Sequence, residues 1–144
     1  MRLQLALNVT DLDEAIDFYT KMFATEPYKV KEGYANWEIT EPPLKLVLFE
    51  NAGAAPGSLN HLGVETDSAD EVVAAENRLS TAGLETTGID DTICCFAEKV
   101  ETWLTAPDGN RWEWYVKQAD HETQLENVVV SSGAGESSGS VCCG

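Results

Sequence analysis

Apolar and polar residues alternate strictly from Leu3 to Val9, with Leu3, Leu5, Leu7 and Val9 on one side and Gln4, Ala6 and Asn8 on the other. A period of two predicts a β-strand with one face toward a core and one polar face. The period then lengthens. Leu12, Ala15, Ile16, Tyr19, Met22 and Phe23 fall on one helical stripe, and Thr10 or Asp11 can cap its start by accepting a hydrogen bond from a first-turn amide. Short strands are expected near 27–32, 34–40 and 44–50, with turn signals at Gly33 and at Pro42 and Pro43 between them. Residues 1–50 therefore read as one βαβββ module.

Residues 51–57, from Asn51 to Gly57, are small and turn-forming, and the same order restarts behind them. A strand is expected around Leu59 to Glu65, Ser68 and Glu71 form a capping-box pattern, Val72, Ala75 and Leu79 give a helical stripe, and Gly83 is placed to end it. Strands near 84–89, 96–105 and 111–117 complete a second βαβββ module over 58–117. The expected fold class is thus α+β, built from two modules. Aligning the capped helices sets Asp13 and Glu14 on Asp70 and Glu71, and Leu5, Ala6 and Leu7 on Leu62, Gly63 and Val64; Gln4 then coincides with His61. Periodicity is lost after 117, and 118–144 is expected to be a flexible acidic tail, low in complexity from Ser131 to Ser140 and closing with Cys142 and Cys143. Whether the modules pair within one chain or between two is a question for the fold.

Charge narrows the partners. Nine Lys and Arg against 25 Asp and Glu leave a formal charge of -16, which would repel a nucleic-acid backbone and an anionic membrane surface alike. No run approaches the roughly 20 apolar residues of a spanning helix, and the first residues do not read as a signal peptide, so a cytoplasmic location is expected. With 43% hydrophobic and 24% charged residues the chain can bury a core without disulfide staples. Its four cysteines form two adjacent pairs, Cys94 with Cys95 and Cys142 with Cys143, unlike a secreted disulfide framework. They are expected to be thiols.

Alternation turns Glu113 away from the indoles of Trp112 and Trp114, and turns His61 away from Leu62. Together with Gln4 they put oxygen and nitrogen donors on the open face of the paired modules. Imidazole plus carboxylate with vacant positions suits non-heme iron(II), although manganese or nickel could take similar ligands. The corresponding strand of the first module, Leu44 to Phe49, offers no inward carboxylate. Taken singly, each residue has a plainer reading: a hydrogen-bonded structural histidine, a surface carboxylate in an ion pair, a polar residue near a terminus. Cys94 and Cys95 follow Asp90, Asp91 and Thr92 and are expected at a turn leading into the strand that holds Trp103. In a regular strand their sulfurs would diverge, so joint capture of one soft atom such as trivalent arsenic, copper(I) or zinc needs a loop or bulge; packing is the alternative role. Structural zinc is disfavoured, because no Cys-x2-Cys occurs and the other histidine, His121, falls in the tail. Cys142 and Cys143 could deliver a metalloid or be an incidental exposed pair.

These residues carry a resemblance. Gln4 to Val9, Gly33 to Asn36, Glu41 to Leu48, Leu59 to Val64, the Cys94 and Cys95 pair, and Pro107 to Glu113 resemble the glyoxalase, bleomycin-resistance and extradiol-dioxygenase (vicinal oxygen chelate) superfamily. Within it they are similar to the carbon-arsenic lyases, historically called cadmium-induced proteins. The resemblance implies an open mixed-sheet barrel with its helices outside and an iron(II) site made by Gln4, His61 and Glu113. It also implies that Cys94 and Cys95 bind the trivalent arsenic of methylarsenite or a reduced aromatic arsenical. The implied reaction is Fe(II)- and dioxygen-dependent cleavage of the carbon-arsenic bond, releasing arsenite. A terminal cysteine pair also occurs in that family, whereas Ile93 and the long acidic tail depart from its pattern. Two readings compete: non-catalytic thiol sequestration of trivalent arsenic or cadmium, and a glyoxalase-type isomerase or extradiol dioxygenase, which Gln4 and the adjacent thiols oppose.

Overall fold

The computed structural model describes residues 1–51, 55, 57–94 and 97–120, with Cys94 described by its backbone alone; Cys95, Cys142 and Cys143 lie outside the described residues. Ten elements follow in order: β1 (Arg2–Val9), α1 (Leu12–Phe23), β2 (Lys29–Lys31), β3 (Tyr34–Ile39), β4 (Leu44–Glu50), β5 (Leu59–Glu65), α2 (Ala69–Thr81), β6 (Asp90–Cys94), β7 (Ala97–Thr105) and β8 (Arg111–Asp120). The strands form one eight-stranded mixed sheet in the order β2-β3-β4-β1-β5-β8-β7-β6, curled into a half-barrel with two helices. Each module pairs its first and last strands in parallel, β1 with β4 and β5 with β8. The antiparallel β1–β5 seam joins the two modules within the one chain.

Both helices begin where capping chemistry predicts. The carboxylate of Asp11, not Thr10, accepts from the Glu14 amide at 3.0 Å, and the Ser68 hydroxyl accepts from the Glu71 amide at 3.2 Å. Glu71 reaches back to the Asp67 amide at 2.8 Å, one residue before the cap. The stripe of Ala15, Ile16, Tyr19 and Phe23 covers a core of Leu12, Ala35, Trp37, Ile39, Leu46 and Leu48, joined by Leu5, Leu7 and Val9. Met22, placed on that stripe by spacing, is exposed. In the second module Val72 packs with Val100 and Val116. No helix among the described residues is long and apolar enough to cross a membrane.

Three details differ from expectation, each for a tertiary reason. The polar face of β1 is the better buried one: Gln4 is 4% exposed against 56% for Leu3, because the sheet curls around that face. Residues 84–89 do not form the expected strand. Leu84 and Ile89 are exposed and Gly88 takes a left-handed turn, leaving the Thr87 amide bonded to the Trp103 carbonyl at 2.9 Å. Pairing starts instead at Asp90 opposite Glu101. Finally, β8 runs on to Asp120, opposite Ala97. There Tyr28 and Lys29 donate to the Asp120 carboxylate at 2.6 and 2.8 Å, tying one edge of the half-barrel to the end of β8.

Candidate metal centre

Three central strands each contribute one donor. Gln4 comes from β1, His61 from β5 and Glu113 from β8, and all three side chains are buried. Gln4 Nε2 lies 2.9 Å from His61 Nε2 and donates to Glu113 Oε1 at 2.8 Å, while His61 Nε2 is 3.7 Å from the same carboxylate oxygen. The meeting point depends on Gly63, which pairs with Gln4 on one side and Glu113 on the other. A β-carbon there would stand 3.0 Å from Glu113 Cγ and 3.3 Å from Gln4 Cβ. Gly63 thus lets the two flanking side chains close over it.

The registers also define the fourth position. Gln4 is two residues before Ala6, which pairs with Val47; His61 is two before Gly63, which pairs with Glu113. Val47 therefore occupies the place in the first module that Glu113 occupies in the second, so the repeat supplies three donors and one apolar wall.

Neighbouring groups set the state of each donor. Burial pushes the Glu113 carboxyl up, but the charge of Lys99, with the hydrogen bond donated by Gln4 Nε2, opposes it and holds the group below the usual carboxylate range. Lys99 Nζ stands 3.4 Å from Oε1. His61 Nδ1 lies 2.8 Å from Asn60 Oδ1, and Asn60 is held in turn by donating to Asn8 Oδ1 at 2.9 Å. A carboxamide oxygen beside Nδ1 favours the tautomer with its proton there, leaving a lone pair on Nε2 toward Gln4 and Glu113. The Tyr115 hydroxyl donates to Gln4 Oε1 and lies 3.1 Å from Glu65 Oε2. Trp103 meets the imidazole edge-on, with ring centroids 5.1 Å apart.

A buried carboxylate and an imidazole lone pair 3.7 Å apart, both within 2.9 Å of one carboxamide, fit a divalent transition metal with open positions. Gln4 presents its nitrogen to the other two donors and its oxygen to Tyr115, so ligation through the oxygen requires the amide to turn over.

The structure brings together the trio named from sequence. Of the cysteines, the Cys94 backbone closes β6 opposite Ala97, and Ala97 lines the same cavity as Gln4 and His61. The Cys94 side chain, Cys95, Cys142 and Cys143 lie outside the described residues. Sequence reasoning missed Tyr115, Asn60, Lys99 and Glu101. Alternation could have found three of them, because Tyr115 shares the face of Glu113, and Lys99 and Glu101 share the face of Trp103. Lys45, paired with Gln4 across the β1–β4 ladder, was also missed; burial presses its ammonium down to about 8. Glu101 is pushed up to about 7 by burial, with Lys99 opposing.

A profile of the Glyoxalase/Bleomycin resistance protein/Dioxygenase superfamily matches residues 3–114. Over 142 residues the chain is 49% identical to the cadmium-induced protein CadI of Mycobacterium tuberculosis, covering 99% of this chain and 92% of that protein. It is 45% identical over 149 residues to a trivalent organoarsenical cleaving enzyme of Thermomonospora curvata, covering 99% of each. Among solved structures it is similar in fold to the Mn(II)-bound glyoxalase of Novosphingobium aromaticivorans, with a TM-score of 0.58 and 18% identity, over 83% of this chain and 40% of that one.

Proposed function

Within the Glyoxalase/Bleomycin resistance protein/Dioxygenase superfamily, to which the chain belongs, we propose that it is an iron(II)-dependent dioxygenase that cleaves the carbon-arsenic bond of trivalent organoarsenicals and releases arsenite. The observation that carries this reading is the convergence of Gln4, His61 and Glu113 from three strands, with Val47 in the fourth place. The name carried by the relative from Thermomonospora curvata supports the substrate class.

Gln4, His61 and Glu113 would hold the iron, and iron(II) bound there would supply the redox chemistry toward dioxygen. The chain's own residues prepare the site. Glu113 stays ionised in a buried place because Lys99 and its hydrogen-bonding neighbours offset the cost of burial. Asn60 fixes the imidazole in the tautomer that ligates through Nε2. Trp103 meets the ring edge-on and Phe49 lies tilted against it, packing the imidazole from two sides. The thiolates of Cys94 and Cys95 would take the two exchangeable positions on a monosubstituted trivalent arsenical. Its remaining carbon-arsenic bond would then be presented to the metal side of the cavity, and that fixed proximity would be the main source of rate.

The test is direct. The purified protein is loaded anaerobically with iron(II), methylarsenite is added, air is admitted, and arsenic species are separated by chromatography beside Glu113→Ala and Cys95→Ser. Arsenite formed by the parent alone is the expected result. Methylarsenite that is bound but unconverted, with Glu113→Ala binding it equally well, would replace the lyase by a thiol sequestration protein for trivalent arsenic or cadmium.

A further inference from the structure

Four of the nine basic side chains in this strongly acidic chain, Lys29, Lys45, Lys99 and Lys117, line one narrow cavity next to Gln4 and His61. They arrive from four strands, β2, β4, β7 and β8, and so from both modules. Asp120 is the sole carboxylate among the described lining residues. The counter-charges behind the wall are shared. Asp120 lies 2.8 Å from Lys29 and 3.3 Å from Lys117. Glu38 stands 3.6 Å from Lys117 but 3.2 Å from Arg2.

Lys45 is the least served. It is 5% exposed, and its recorded carboxylate neighbour, Glu65, lies 3.9 Å away, beyond hydrogen-bond reach. Glu65 is already gripped by Arg2 through Nε at 3.1 Å and Nη2 at 3.2 Å. On the same wall, Asn36 donates through Nδ2 to the Tyr34 hydroxyl at 2.8 Å, while its buried Oδ1 has no hydrogen-bond partner among the described residues. A buried ammonium without a close anion is costly to fold around. With three further lysine side chains on the same wall, it marks a place that an anion from outside the chain would complete.

We propose that this lysine-lined cavity binds a carboxylate-sized oxyanion head group, with Lys45 as the residue that sets its affinity. The head group is either a free small carboxylate or an acidic substituent on the organic part of the substrate, and the second source rests on the lyase reading above.

The experiment has two arms. In the first, sodium acetate is titrated calorimetrically into the full chain, metal-free and loaded anaerobically with iron(II), beside Lys45→Met and Lys117→Gln, with folding of both variants checked by circular dichroism. Saturable binding by the parent, weakened about tenfold or more in Lys45→Met, is expected for loss of a charge-assisted hydrogen bond. Absence of saturable heat in the parent, or equal affinity in both variants, would overturn the site. In the second arm the iron-loaded enzyme is given phenylarsenous acid and 4-carboxyphenylarsenous acid. A kcat/KM preference for the carboxylated compound that shrinks in Lys45→Met assigns the head group to the substrate. Equal cleavage with acetate binding intact assigns it to a free carboxylate. Cleavage of neither, with acetate still bound, would remove the lyase reading and leave the oxyanion site standing.

Discussion

The hydroxyl of Tyr115 donates to Oε1 of Gln4, the one atom of that side chain suited to hold a metal. This bond turns the amide so that its nitrogen faces His61 and Glu113. Metal binding through Oε1 must break it. Tyr115→Phe should therefore raise iron(II) affinity about five- to tenfold, the worth of a hydrogen bond of about 1 kcal/mol, while lowering the melting temperature of the metal-free protein. Anaerobic competition against a chromophoric chelator would read the affinity; a fall in affinity would mean that Tyr115 supports the ligating orientation instead.

Gly63 makes the trio possible by what it lacks. A methyl group at this position would press on Glu113 Cγ at 3.0 Å and on Gln4 Cβ at 3.3 Å, and the neighbours are strand-borne and buried. Gly63→Ala should cost about 1–3 kcal/mol of stability through overpacking and weaken metal binding more than a substitution of similar size elsewhere in the sheet. Denaturant melts and metal titration on the same variant would separate the two effects.

Asn60 contacts no expected substrate atom, yet it positions His61 through Nδ1 at 2.8 Å. Its removal in Asn60→Ala should reduce metal affinity by about 10- to 100-fold, as loss of an outer partner of a ligating imidazole does elsewhere. Asn60→Asp should restore much of it, since a carboxylate also accepts from Nδ1. Nitrogen-15 shifts of the ring would report the tautomer directly, a readout that simple loosening of the fold would not reproduce.

Glu101 gives the protein a pH-dependent weakness. Burial raises its folded-state value to about 7 from an ordinary 4.5, Lys99 only partly opposing, and its Oε2 lacks a hydrogen-bond partner among the described residues. The folded chain therefore favours the protonated form: the stabilisation is complete below pH 4.5 and is lost as pH rises toward 7. Glu101→Gln should abolish that loss, gaining up to about 3 kcal/mol relative to the parent between pH 5 and pH 8. Urea melts at the two pH values check it; parallel pH profiles for both proteins would be the contrary result.

Much of this molecule was legible in local spacing. Alternation from Leu3 to Val9 and from Leu59 to Glu65 defines strands, and Asp11 and Ser68 start helices, because pleat and capping act over a few residues. Gln4, His61 and Glu113 were legible as a trio because the repeat puts Gln4 and His61 at equivalent places and alternation turns Glu113 the same way. Residues 84–89 were misread because an extended, partly apolar run becomes a strand only if a neighbour is free to pair, and β7 takes its partner from Asp90 onward. The curl of the sheet lay beyond local spacing as well. It makes the polar face of β1 an interior, brings Asn60 behind His61 and Tyr115 beneath Gln4, and gathers Lys29, Lys45, Lys99 and Lys117 around one cavity although the chain as a whole carries a charge of -16. Net charge is a sum over the sequence, whereas the potential at a site depends on which few charges the fold sets within a few ångströms of it.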